Sequence, residues 1–122
     1  MKSDRAVVVS HLVPQILRKG DAEFVAVLRC SPDELEKRLQ RRGYSKKKIK
    51  ENVLSEILDI CLYDVLRKFG SDKVGEFDTT GRNPTLVAKS IIAAYRNESK
   101  PKVGIVDWLK VVAESGTLSL YT

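Results

Sequence analysis

The sequence is poor in the residues from which many sites are built. Its 122 residues hold two cysteines, one histidine, one methionine and one tryptophan. Cys30 and Cys61 lack metal-ligand spacing and cannot make a disulfide framework, so both read as reduced, mostly buried thiols. There is no Cys/His metal cluster, and no metal site is expected from the side chains. No apolar run approaches the roughly 18–20 residues needed to span a membrane. The apolar run after Arg5 stops at His11, too short for the apolar region of a secretory signal. These absences predict a cytoplasmic protein with no membrane partner. The chain also lacks a nucleophile elbow, a catalytic carboxylate pair and any Gly-x-x-x-x-Gly-Lys-Ser/Thr phosphate loop.

What is present fits one small domain with a real core: 43% hydrophobic and 31% charged residues, as in ordinary globular proteins. The net charge of +6, from 22 Lys and Arg against 16 Asp and Glu, favours polyanionic partners such as nucleotides, RNA or ribosomal surfaces. The cations cluster: Lys37, Arg38, Arg41, Arg42, Lys46, Lys47, Lys48 and Lys50 fall within one short stretch.

Along the chain, Val7–Val9 and Glu23–Arg29 read as buried strands, their near-continuous hydrophobicity suiting a sheet covered on both faces. His11 to Arg18 reads as a short helix or turn ending near Gly20. Ser31-Pro32-Asp33-Glu34 is a helix start: serine at the N-cap, proline at the first helical position, and a glutamate that closes a capping box. That helix should stop near Gly43. A second helix is expected from about Ser45 to Phe69, ended by Gly70, with Glu51, Glu56, Asp59 and Asp64 solvating its outer face. Lys73–Asp78 reads as a third strand, and Asn83-Pro84 starts another helix with Val87, Ile91 and Ala94 inward. Residues 97–102 form a polar linker, and Ile105–Ala113 a last short helix carrying Trp108. The alternation predicts an α/β fold with a parallel sheet.

Three segments carry candidate chemistry. Arg38 and Arg42, four apart at a helix end before a glycine turn, could clamp phosphate oxygens with two forks; equally, they could belong to a solvated basic face. His11 follows a strand whose C-terminal end would point at a ligand crevice, beside a phosphate or a metal-bound water, or it is simply a hydrogen-bonded strand-end histidine. Asp78 to Pro84 follows another strand end; its backbone could contact a base and Arg82 could cap a ring, or it is an ordinary strand-to-helix turn.

The string VLRCSPDELEKRLQRRGYSKKKIKENVLSEILD, from Val27 to Asp59, together with EFDTTGRNP and the later Val106-Asp107-Trp108, resembles adenylate kinase isoenzyme 6, the coilin-interacting nuclear ATPase protein family, in its archaeal form. The match runs from about Arg5 to Trp108. The resemblance implies a P-loop nucleoside monophosphate kinase-like fold: a parallel sheet with flanking helices, here missing the N-terminal strand and the phosphate loop. It implies residues 1–96 as the kinase-like core with a lid at 43–52, and 97–122 as linker and C-terminal tail. It implies adenine nucleotides as ligands, ATP and Mg²⁺ as cofactors once the missing part is supplied, and the conversion of ATP and AMP to two ADP. A role in small-subunit ribosome maturation, with a platform ribosomal protein and rRNA as partners, comes with the same family.

By the same resemblance, Arg38 and Arg42 are the arginines that close on ATP phosphates. Gly81, Arg82, Asn83 and Pro84 form the loop against the adenine. Gly43, Tyr44, Lys48 and Asn52 belong to the lid. His11 is the histidine of an Asp-x-His element whose aspartate position is Val9 here, so the chain does not supply that aspartate's hold on Mg²⁺. Without a phosphate loop the 122 residues are expected not to turn over nucleotide alone, and a separate P-loop-containing polypeptide is an expected partner. The competing reading is a non-catalytic binding module acting on a ribosomal protein or rRNA.

The family's strand order places its first strand between the strands kept here as Val7–Val9 and Glu23–Arg29. An empty slot would orphan two rows of backbone groups at about 1–3 kcal/mol each. Either the first two strands pair directly, or another polypeptide fills the slot; in both cases Glu23–Arg29 and Lys73–Asp78 should pair in parallel.

Overall fold

The alternation of residues along the central strand sets the layers. In β2 (Phe24–Arg29), Val25 and Val27 face one way and Phe24 and Ala26 the other, and all four are buried. The computed structural model describes the strand at residues 6–9 as backbone and residues 22–122 in full. His11, and the helix or turn expected from His11 to Arg18, lie outside the described residues.

β2 is flanked by β1 (Ala6–Val9) and by β3 (Val74–Asp78) in a three-stranded sheet of order β1-β2-β3. Both pairings are parallel, Ala6 opposite Phe24 on one side and Val25 opposite Val74 on the other. The first of the two expected outcomes is therefore observed: β1 sits directly against β2, with no slot between them. The last two strands are parallel, as the kinase-like fold requires.

Helices cover both faces. On one, α3 (Ile60–Phe69) brings Cys61, Leu62, Val65 and Phe69 onto Val25, Val27 and Val74. On the other, α4 (Pro84–Tyr95) brings Ala94, Ile91 and Tyr95 onto Phe24, Ala26 and Phe77. A third core lies beyond the strand ends, where α1 (Pro32–Arg41) and α2 (Lys46–Ile57) form a hairpin. Leu39, Ile49, Val53 and Ile57 meet Val112 of α5 (Trp108–Ser115) and Tyr121 there. The tail is held at its end as well, the Tyr121 hydroxyl donating to Glu36 Oε1 at 2.9 Å.

The expected single helix from Ser45 to Phe69 is instead two helices, parted at Leu58 and Asp59. Asp59 has a left-handed backbone, φ 58° and ψ 32°, unusual for a non-glycine residue. The physical reason is a change of partner: α2 turns Val53 and Ile57 to the hairpin core, whereas α3 turns Cys61 and Val65 to the sheet. One straight helix cannot present both stripes to both cores. The carboxylates follow suit. Asp64 pairs with Arg67 at the surface and Glu51 approaches Lys48, but Glu56 and Asp59 turn inward to Arg29.

The outer edge of β3 is taken by the segment before α5. Glu76 N–H donates to Lys102 O at 2.8 Å, and Pro101 lies over Gly75. A Cβ on Gly75 would come within 3.1–3.2 Å of Phe24, Phe77 and Pro101. Gly75→Ala should therefore cost about 1–2 kcal/mol, read by urea unfolding with an unchanged far-ultraviolet spectrum; a variant as stable as the parent would contradict this packing.

Burial pushes the Cys61 thiol up to about 12, and burial also raises Cys30 despite nearby Arg38. Both thiols stay protonated through neutral pH. Alkylation at pH 8 should be about 10²-fold slower in the native chain than in the urea-unfolded chain, and comparable rates in the two states would show that the thiols are not enclosed.

Candidate functional site

The ends of two parallel strands and one basic helix face build the site. α1 starts where β2 stops. Ser31 caps it, its hydroxyl accepting from Glu34 N–H at 3.4 Å, with Pro32 at the first turn. The expected capping box closes only on that side. Ser31 N–H goes to Thr80 Oγ1 at 2.8 Å, and the Glu34 carboxylate takes Arg38 Nε at 3.3 Å. The loop after β3 has displaced the reciprocal bond.

That loop is rigidly built. Asp78 Oδ1 accepts from Thr80 N–H and from the Thr80 hydroxyl, at 3.0 and 2.7 Å. Arg82 N–H closes a turn onto Thr79 O, with Gly81 at φ 62° and open space where its Cβ would be. Asn83 caps α4, its Oδ1 accepting from Thr85 N–H at 2.7 Å. Thr79 joins the two strand ends, its N–H and hydroxyl both bonded to Arg29 O at 2.8 Å.

Arg38 reaches across to this loop, Nη1 to Thr79 Oγ1 and Nη2 to Thr79 O, both at 3.1 Å. Arg42, one turn on, is exposed and makes no ion pair with a described residue. The turn that follows Arg42 is a Schellman ending: Gly43 N–H, at φ 80°, donates to Gln40 O, and Tyr44 N–H donates to Leu39 O. Ser45 then caps α2.

Two concavities result. A cavity of about 180 Å³ is lined by Arg38, Arg42, Asn52, Cys30 and Thr79 above Leu28, with Arg29 and Glu56 also in its wall. Beside it opens a groove of about 670 Å³, floored by Leu28, Val87 and Ile91 and rimmed by Arg38, Arg41, Arg42 and Arg82. Of the residues singled out in the sequence, Arg38, Arg42, Arg82, Pro84 and Asn52 come together here. Gly81 and Asn83 shape the loop without lining either space. Gly43, Tyr44 and Lys48 lie outside both; Lys48 is exposed, 4.0 Å from Glu51.

Sequence reasoning missed the charged centre beneath the site. Arg29, 2% exposed, donates Nε to Glu56 Oε2 (2.7 Å), Nη2 to Asp59 Oδ1 (2.5 Å) and Nη1 to Glu76 Oε2 (2.5 Å). Its Nη2 also meets Glu56 O at 2.9 Å. Burial opposes the charge on Arg29, but the three carboxylates outweigh burial and hold the guanidinium more firmly protonated than usual. Burial raises the Glu56 carboxyl above its ordinary range, while Arg29, Cys30 N–H and Trp108 pull it back. No signal separated them in the sequence: Glu56 adjoins the Ile49, Val53 and Ile57 stripe but reads equally as a solvated position, and Arg29 reads as a charge at a strand end. Arg41, in the basic stretch, and Thr79, in the Asp78 to Pro84 loop, carry no role of their own in the sequence reading.

Among the described residues no three metal-ligating side chains converge on open space. The described residues thus form no Mg²⁺ cage of their own, and a Mg²⁺ at this site would have to be held largely through a ligand's phosphates. Nor is any described helix long and apolar enough to cross a membrane.

Arg29→Met should destabilise the fold by about 3–5 kcal/mol, because it strands the buried Glu76 and Glu56 carboxylates. The sign with pH follows. Stranded carboxyls have raised values, so the folded state binds more protons than the unfolded chain, and stability falls as pH rises. The loss on urea unfolding should be smaller near pH 4.5, the ordinary carboxyl value, than at pH 7; a loss independent of pH would exclude this origin.

A family model described as an AAA domain matches residues 1–59. The chain is similar to curated archaeal proteins named "Putative adenylate kinase". It is 41% identical over 100 residues to that of Thermococcus onnurineus, covering 82% of this chain and 51% of the relative. To that of Pyrococcus furiosus it is 42% identical over 106 residues, covering 87% and 54%. To that of Halobacterium salinarum it is 42% identical over 106 residues, covering 87% and 61%. The chain thus spans between about half and three fifths of the length of these relatives. With the parallel sheet and its flanking helices, which suit a P-loop kinase-like fold, these similarities support an adenylate-kinase-like family for the chain.

Proposed function

We propose that the arginine-rimmed groove binds an adenine nucleotide, and that the chain contributes this half of an adenylate-kinase-like phosphotransferase, ATP and AMP giving two ADP. One observation carries the reading: Arg38, Arg41, Arg42 and Arg82 surround an apolar floor at the C-terminal ends of parallel strands, where α/β sheets bind ligands. Leu28, Val87 and Ile91 offer a surface for a base, against the loop of Gly81 to Pro84. Arg42 is the free fork for phosphate oxygens, and Arg38, already held on Thr79, fixes the near wall. In the transfer, an oxygen of the AMP phosphate bonds to the γ-phosphorus of ATP and the bond from that phosphorus to the β-phosphate bridge breaks. ADP leaves, and charge spreads over the transferring oxygens where Arg42 can meet it. Mg²⁺, when bound to the phosphates, would neutralise part of that charge.

Backbone that cradles the β- and γ-phosphates is not among these 122 residues, which contain no phosphate-loop string. In this reading it comes from polypeptide outside them, on the same chain or another. A phosphate-side role for His11 enters this proposal through the family resemblance alone. The reading takes the protein to be cytoplasmic.

A second reading has one observation of its own. Lys46, Lys47 and Lys50 are exposed at the tip of the α1–α2 hairpin and pair with no described carboxylate. Such a surface suits a module that docks on a polyanion, in keeping with the proposed part in small-subunit ribosome maturation beside a platform ribosomal protein and rRNA.

Turnover separates the readings. The 122-residue protein alone should show none in a coupled adenylate kinase assay, and turnover abolished by Arg42→Ala would overturn the need for an outside cradle. With a phosphate-loop polypeptide supplied, Arg42→Ala should lower turnover about 10²–10³-fold, some 2–4 kcal/mol, with little effect on folding because the side chain is exposed. Arg42→Lys should not restore the rate, since an ammonium cannot fork; equal rates for Arg42→Lys and the parent would remove the role.

A further inference from the structure

Trp108 is the sole tryptophan and lines neither the cavity nor the groove. Its indole Nε1–H nevertheless donates to Glu56 Oε2 at 3.0 Å. The same oxygen accepts Arg29 Nε at 2.7 Å and Cys30 N–H at 3.1 Å. One carboxylate oxygen therefore joins three separate pieces of chain: the start of α5, the last turn of α2 and the end of β2.

From there the bonds run on to the groove without a break. Arg29 O holds Thr79 by its N–H and its hydroxyl, and Thr79 O and Oγ1 hold the two Nη atoms of Arg38. In the other direction Arg29 holds Asp59 in its left-handed turn, where no side-chain capping bond supports α3. Among the described residues no buried side-chain polar atom lacks a partner, so the enclosed part of this network is fully bonded.

We propose that Trp108 and Glu56 are positioning residues: together they pin α5 and the α2–α3 reversal to the end of β2, and through Arg29 and Thr79 they set the attitude of Arg38 on the groove. This rests on the nucleotide reading of that groove. The geometry favours positioning over plain packing because the indole contact is a directed bond to a charged acceptor. Its removal leaves the ring's apolar contacts in place.

Trp108→Phe isolates the bond, keeping an aromatic ring on the hairpin core. Val65→Ala is the control: it loosens α3 against Val25 and Val27, on the sheet face opposite α4 and the groove, and removes no bond of the network. Amide hydrogen exchange, corrected for each variant's global stability, and calorimetric titration with ATP are measured on the full 122-residue protein. Trp108→Phe should speed exchange at Cys30 and Thr79 about tenfold and weaken ATP binding about fivefold, the effect of losing one hydrogen bond to a charged group, partly relayed. Val65→Ala should do neither. Unchanged exchange at Cys30 and Thr79 in Trp108→Phe overturns the proposal, and so does faster exchange with parental ATP affinity. If the parent itself binds no ATP, the nucleotide reading falls, and the exchange result alone decides whether the pair positions Thr79.

Discussion

The structure depends on one buried guanidinium. Arg29 ends β2, the most enclosed strand, and finds acceptors on α2, on the α2–α3 reversal and on β3. Taking a cation out of water costs several kcal/mol unless its donors are met in good geometry. Here they are met by three carboxylates and a carbonyl, a set only a planar fork with several N–H groups can serve from one point. The surroundings are arranged accordingly. α2 stops where Glu56 and Asp59 must both reach inward. The loop after β3 crosses to the β2 end. Glu76 carries the link outward, its other oxygen taking the N–H groups of Gly104 and Ile105, so the segment before α5 lies along the sheet edge.

Placing β1 directly against β2 keeps the C-terminal ends of β2 and β3 side by side. The crevice of a parallel sheet opens at those ends, and here they are joined by Thr79 to Arg29 and Thr80 to Ser31. A rigid floor results. The α1–α2 hairpin stands over it on its own core, with the C-terminal segment as the hairpin's other support through Val112 and Tyr121.

What could be read in the sequence was local. Ser31-Pro32, Gly43, Ser45, Gly70 and Asn83-Pro84 each act within a turn of the chain, and each starts or stops a helix where expected. The parallel pairing followed from the order of elements. The break at Leu58 and Asp59 could not be read in the same way, because the apolar periodicity continues through it; what changes is which core the stripe meets. The capping box failed for a related reason. Ser31 and Glu34 have the right spacing, but Thr80 and Arg38 offer better partners, one of them 49 residues away. Arg38, Arg42 and Arg82 could be singled out from type and spacing and Asn52 only through the family resemblance, and all four line the two concavities. Arg29 and Glu56 could not, since a charge at a strand end and another on a long helix look solvated until the fold brings them together.

The two arginines that the sequence treats as equals are physically different. Arg38 is half-enclosed and each of its three nitrogens already makes one bond, to Glu34 or Thr79, so its charge is partly answered before any ligand arrives. An incoming phosphate would have only the second N–H of each Nη to use without displacing those bonds. Arg42 carries no such commitment, and neither do Arg41 and Arg82 on the same rim. Of the interior carboxylates bonded to Arg29, Glu56 also lines the adjoining cavity, whereas none lines the groove. Four arginines thus rim the groove over an apolar floor, a setting in which charge acts more strongly on a bound anion. The geometry separates the two: Arg38 belongs to the wall, whereas Arg42, like Arg41 and Arg82, makes no ion pair with a described residue.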